Sequence, residues 1–198
     1  AGGFFNPVPD DDGLIRTVSL LARHGDNFYE SLALATARVA VDGKRIKPVF
    51  LTGADGLLGN QKETYDALAA IAVEARPQPL IIPVERGLTT LVTYRGRGGP
   101  QGGAYRYVPA VDVIRGTYPH DKLDGRIMLV GTTVPGLNDL RATPVSPVYP
   151  GVEIHANLIA SIIDDDFKTR PDFAAGYDGL QVALAGLLLG LMLPALGP

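Results

Sequence analysis

Three consecutive stretches decide how this chain folds: Arg126–Val130 (RIMLV), Gly131–Pro150 (GTTVPGLNDLRATPVSPVYP) and Gly151–Ile163 (GVEIHANLIASII). The first is a short, continuously apolar run after the Asp124-Gly125 turn signal, as expected of a buried strand. The second is a long loop punctuated by Pro135, Pro144, Pro147 and Pro150. The third repeats apolar residues at helical spacing, with Ile154, Leu158 and Ile162 on one stripe, so a helix over Val152–Ile163 is expected. Strand, loop and helix in that order indicate an α/β architecture, a mixed sheet flanked by helices.

Outward from this unit the same signals recur. Gly3–Asn6 and Leu14–Leu21 read as strands joined by Pro7–Gly13, and Asp12-Gly13 marks the turn. Asn27 with Glu30 has capping-box spacing, so a helix is expected from there through Ser31–Val41, stopped by Asp42-Gly43. Ile46–Thr52 reads as a strand. Asn60 and Glu63 repeat the capping-box spacing, and Tyr65, Leu68, Ala69 and Ala72 share a helical face that Arg76-Pro77 closes. Thr89–Tyr94 is β-branched and strand-like, and Pro109 with Gly116 brackets a short helix over Ala110–Arg115. No internal repeat is present.

Composition bounds the function. The chain has 198 residues, 46% hydrophobic and 20% charged, enough to bury a core in one domain. A net charge of −3, with the 18 basic residues dispersed, argues against a nucleic-acid partner. With no cysteine, disulfides and thiolate metal sites are excluded, and an oxidising compartment suits such a chain. The chain opens on Ala1 without a signal pattern, and reads as an internal fragment. From Gly179 to Pro198 no residue is charged, and Val182–Leu193 is continuously apolar. That segment is expected to begin a transmembrane helix, with Gly186-x-x-x-Gly190 open to a second helix; a buried core helix is the alternative.

Several chemistries fail on inspection. Gly131 to Gly136 has P-loop glycine spacing, but Leu137 and Asn138 stand where lysine and a hydroxyl are needed. The three histidines are far apart, no G-x-S-x-G elbow exists, and no metal or cofactor is expected. The run Asp10–Asp12 lacks the alternate spacing and distal glutamate of a calcium loop, and reads as a solvated turn. Tyr94–Tyr107 (YRGRGGPQGGAYRY) resembles RNA-binding Arg-Gly segments, but one copy in an acidic chain reads as a flexible hairpin connection.

The remaining polar residues are candidates for a ligand crevice. Glu153 and His155 lie two apart on a helix and point to nearly opposite faces, so they cannot easily serve one site as an acid–base pair. His155 borders the apolar stripe, as a hydrogen-bonded histidine at the core edge would. Glu153 and Asn157 share another face, and Glu153 sits in the first turn, where the helix dipole favours a carboxylate. Asp139 and Arg141 in the loop are either a binding pair or a salt bridge that pins it.

Four stretches, taken in order, resemble the CHASE2 family of extracytoplasmic sensor domains. They are Gly3-Phe-Phe-Asn with Asp10–Arg16; Ser31-Leu-Ala-Leu-Ala; Leu129-Val-Gly-Thr-Thr through Gly136-Leu-Asn-Asp139; and Thr143-Pro followed by Pro150-Gly-Val-Glu-Ile-His-Ala-Asn157. The resemblance implies a periplasmic sensor over residues 1–178, followed by membrane re-entry from 179, in a protein of the bacterial inner membrane. It implies a signalling output in the cytoplasm, an adenylate or guanylate cyclase by preference, with a histidine kinase or diguanylate cyclase as alternatives. Family domains usually begin with further strands and a helix, so an N-terminally shortened sheet with an exposed edge is expected. No binding residue carries over from the family. The crevice candidates are therefore Arg16, Asp139, Arg141, Glu153, His155 and Asn157, for an unknown stimulus. A homodimerisation module is a rival reading, and a soluble hydrolase is disfavoured because no nucleophile–base–orienter set appears.

Overall fold

Helix α3 is the post around which the first part of the chain is organised. In the computed structural model, which describes residues 2–50, 68–85, 87–133, 139–169 and 174–195, it runs Gly151–Asp164. Ile154, Leu158 and Ile162 are buried on the expected stripe. They meet Ala33, Leu34 and Ala37 of α1 (Leu32–Ala40). Ser31 starts α1, its hydroxyl accepting from the Leu34 amide at 3.3 Å. The chain leaves it through Asp42, at φ 51°, and Gly43, as the turn signal there predicts.

The strands form separate antiparallel pairs and one triplet. β1 (Thr17–Ser19) pairs with β7 (Thr89–Leu91), and β2 (Leu21–His24) forms a hairpin with β3 (Asn27–Glu30). β4 (Ile46–Phe50), β5 (Leu68–Val73) and β6 (Leu80–Pro83) make the three-stranded sheet. β8 (Leu140–Thr143) and β9 (Ser146–Pro150) form a second hairpin leading directly into α3. Short α2 (Ala110–Ile114) buries none of its residues. One core joins Ile15, Val18, Leu20, Ile71, Val73, Ile82 and Tyr149 to α1 and α3.

The α/β class is as expected, but the single mixed sheet is replaced by these small antiparallel sheets. Other expectations are corrected too. Asn27–Glu30 is the second arm of a hairpin, because Gly25 (φ 61°) turns the chain and pairs His24 with Asn27. Leu68–Val73 is a central strand, hydrogen-bonded on both sides, and Asn60, Glu63 and Tyr65 lie outside the described residues. The proline-punctuated loop contains the β8–β9 hairpin. RIMLV is not a strand: Ile127, Met128 and Val130 are exposed, and only Leu129 packs against the core.

The chain divides into two units, Ala1–Lys168 and Thr169–Pro198. The second contains α4 (Ala174–Ala195), whose described apolar side chains, Leu180 to Met192, are exposed. Among the described residues no helix is long and apolar enough to cross a membrane, so the expected span from Gly179 is not met there.

Candidate functional site

The first turns of α3 carry two buried polar side chains. Glu153 and Asn157, one helical turn apart, point to the same side, as their spacing requires. Burying a carboxylate costs several kcal/mol unless hydrogen bonds replace water, and the segment Tyr94–Tyr107 supplies them. Glu153 Oε2 accepts from the Gly99 amide and the Tyr107 hydroxyl, each at 2.6 Å. Its other oxygen, Oε1, is buried and has no hydrogen-bond partner among the described residues.

Asn157 is more fully engaged. Its Oδ1 accepts from the Arg95 amide at 2.9 Å and the Tyr105 hydroxyl at 3.4 Å. Its Nδ2 donates to the Tyr149 hydroxyl and the Glu153 carbonyl, both at 2.7 Å. Tyr149 in turn packs edge-on against Tyr94, whose hydroxyl donates to the Ile15 carbonyl at 2.7 Å. Burial raises all four phenols: Tyr105 and Tyr149 are pushed up to about 12, and Tyr94 and Tyr107 move in the same direction. All four hydroxyls therefore stay protonated at neutral pH, and the Tyr105 and Tyr107 hydroxyls donate to α3.

The hairpin fits because it lacks side chains where it touches. A Cβ on Gly98 would lie 2.5 Å from the Tyr149 ring, and one on Gly103 2.6 Å from Glu153 Oε1. Gly96, Gly98 and Gly99 also have positive φ, which other residues resist. The expected hairpin connection is present, but it closes through a single bridge, Gly96 to Gly103. Further along α3, Arg95 pairs with Asp164 at 2.6 Å, which raises the guanidinium's pKa. The hairpin is thus fastened along the helix from Glu153 to Asp164.

The other candidates lie elsewhere. Arg16 binds Asp10 at 2.7 Å and Asp12 at 2.6 Å, and its hydrogen bonds pull Asp12 down to about 2. The aspartate run is thus a turn pinned by arginine. The Asp139 backbone carbonyl accepts from the Gly151 amide at 2.7 Å, ahead of α3. Arg141 is exposed on β8, and among the described residues no ion pair joins it to Asp139. His155 is buried on a different side from Glu153. Its Nε2 donates to the Phe5 carbonyl at 3.0 Å, its Nδ1 has no partner among the described residues, and burial lowers its pKa. It ties the N-terminal segment to α3, the core-edge role its periodicity predicts. The sequence reading missed Tyr105, Tyr107, Tyr149, Gly99 and Gly103; the alternation of tyrosines at 105 and 107 was the available signal.

Among the described residues no cluster of histidine and acidic side chains could hold a metal ion. The family model of the CHASE2 domain matches residues 1–195. This chain belongs to the CHASE2 family. CHASE2 domains are extracytoplasmic sensor modules without catalytic activity, and the buried helix–hairpin contact belongs to such a sensor. No curated protein and no solved structure matches this CHASE2 chain.

Proposed function

We propose that this CHASE2 domain is the periplasmic input module of a membrane-bound bacterial signalling enzyme. Its stimulus is read where the Gly/Tyr hairpin lies on α3, with Glu153 and Asn157 as the reading residues. The observation carrying this is the buried Glu153 carboxylate, whose two donors both come from a glycine-rich segment held by side chains rather than by a sheet. A small polar ligand that binds one arrangement of the hairpin better than another shifts their populations; one that binds both equally transmits nothing.

The output assigned is an adenylate or guanylate cyclase, ahead of a histidine kinase or diguanylate cyclase, on the strength of family layout. The uncharged stretch Gly179–Pro198 is assigned to the inner membrane on composition. A thermal-shift screen of small polar periplasmic metabolites tests the sensing role. At least one should raise the midpoint of the native chain, and Asn157→Ala should abolish that rise. A flat screen would remove the small-molecule role. Cyclic-nucleotide synthesis by the full-length protein tests the output.

A homodimerisation role has its own support. Among the described residues, no atom lies within 4 Å of the position a Cβ would take on Gly186 or Gly190 of α4, which leaves that side open to a second helix. Association that depends on protein concentration and ignores every ligand would favour it.

A further inference from the structure

The segment Phe5–Pro9 (FNPVP) runs between two fixed points. Before it, the Phe4 amide donates to the Glu30 carbonyl at 3.1 Å, and the Leu32 amide donates to the Phe4 carbonyl at 2.7 Å. After it, the Asp10 amide donates to the Leu14 carbonyl at 2.9 Å, and the Asp10 carboxylate holds Arg16. Between these points Pro7 and Pro9 carry no N–H, and Phe5 and Val8 are 64% and 69% exposed. Among the described residues, Phe5–Pro9 makes a single hydrogen bond to the rest of the chain. The Phe5 carbonyl accepts it from His155 Nε2, at 3.0 Å. One titratable side chain therefore fastens the middle of this strap to α3.

That fastening tolerates charge badly. The His155 side chain sits in a residue 5% exposed, and burial disfavours the charged ring. A proton on Nδ1 would make a second buried N–H, with no acceptor within reach among the described residues. The bond to the Phe5 carbonyl and the field of Asp139 favour the charged ring, and burial outweighs both. The Asp139 carboxylate lies where Gly151 would carry a Cβ, and Gly151 precedes His155 by one turn on the same face. Of the elements packed on α3, α1 brings Arg38, which Glu30 holds at 3.0 Å. β6 brings no ionisable residue, and β9 brings Tyr149, committed to Asn157. Opening the strap wets the ring at the cost of one hydrogen bond, and both anchors stay in place.

We infer that Phe5–Pro9 is an acid-released strap and that His155 is its latch. The stimulus it reads is a proton, on a side of α3 away from Glu153, so it stands apart from the ligand reading of the Gly/Tyr hairpin. The buried ring has the lowered pKa and the released ring the ordinary 6.5. The closed strap is therefore favoured above pH 6.5 and loses ground as pH falls.

Because the chain has no cysteine, a single nitroxide label can report on the strap. Val8→Cys, labelled in the full chain, should give a restrained spectrum at pH 7.5. Toward pH 5, about the range over which a histidine charges, a mobile component should grow and should vanish again on return. The ratio of mobile to restrained label should rise at least about threefold, since each unit between two pKa values is worth about tenfold. A label at Val39→Cys, exposed on α1, should stay restrained throughout, which separates local release from unfolding. His155→Gln, which can donate to Phe5 but cannot charge, should keep the Val8 label restrained at both pH values. Four outcomes would overturn the inference: a Val8 label already mobile at pH 7.5, an unchanged spectrum at pH 5, the same rise in His155→Gln, or both labels loosening together.

Discussion

Tyr107 donates its hydroxyl to Oε2 of Glu153 at 2.6 Å, across 46 positions of sequence. The carboxylate that receives it is buried on α3, and the tyrosine sits at the end of a glycine-rich hairpin. Helix and hairpin are therefore one polar unit, in which neither half is satisfied without the other.

Removing the acceptor tests that unit. Glu153→Ala leaves the Gly99 amide and the Tyr107 hydroxyl unpaired, and an unpaired buried group costs about 1–3 kcal/mol. The urea midpoint should fall accordingly, and amides in 96–106 should exchange faster than those of α1. Glu153→Gln keeps an oxygen for the same donors, so its loss should be less than half as large. Equal losses in the two variants would mean that the charge, rather than the acceptor geometry, fastens the hairpin.

Two glycines of the hairpin should respond oppositely to the same change. Gly98→Ala meets a backbone at φ 72° and the face of Tyr149, so overpacking and left-handed strain together should cost more than about 2 kcal/mol. Gly102→Ala meets only the Gly98 carbonyl oxygen, at an ordinary 4.0 Å and an ordinary φ, and should stay within about 0.5 kcal/mol of the native chain. Thermal midpoints of the two purified variants decide it. A large loss at Gly102 would mean that hairpin flexibility, not close packing, is what the glycines provide.

Ser31 offers a test of local structure. Its hydroxyl caps α1 through the Leu34 amide in a fully buried setting, so Ser31→Ala should cost about 1–2 kcal/mol. Asn27→Ala, on the exposed arm of the β2–β3 hairpin, should change stability by less than about 0.5 kcal/mol. If the loss fell on Asn27 instead, the helix would begin where the capping-box spacing suggested.

That contrast shows what was legible in the sequence. Periodicity alone placed α3, its buried stripe, and Glu153 beside Asn157, because those follow from 3.6 residues per turn. It failed at Asn27–Glu30, where capping-box spacing coincided with a strand whose partner, Leu21–His24, closes through Gly25. It failed again at Leu68–Val73, where alanine-rich spacing looked helical but two neighbouring strands supply the hydrogen bonds. Half of the site was readable for the same reason. Glu153 and Asn157 lie on one local face, whereas Gly99, Tyr105 and Tyr107 reach them only through a tertiary contact that no spacing encodes.

His155 makes the last prediction, one of pH. Burial lowers its pKa from the ordinary 6.5, and among the described residues Nδ1 faces no acceptor for the N–H that protonation would create there. The hydrogen bond to the Phe5 carbonyl, and after it the field of Asp139, oppose this shift but do not reverse it. The folded chain therefore prefers neutral imidazole, and the unfolded chain takes up a proton first as pH falls. By linkage, stability rises with pH wherever the unfolded state holds more protons. The His155 contribution is thus whole above pH 6.5, declines below it, and is fully lost once pH passes beneath the folded value. Urea midpoints of the native chain should fall between pH 7.5 and pH 5, about the range over which an unperturbed histidine charges. His155→Gln, which can still donate to Phe5 but cannot charge, should flatten most of that slope. A slope unchanged in the variant would assign the pH dependence to the carboxylates and leave His155 a purely neutral tie between the N-terminal segment and α3.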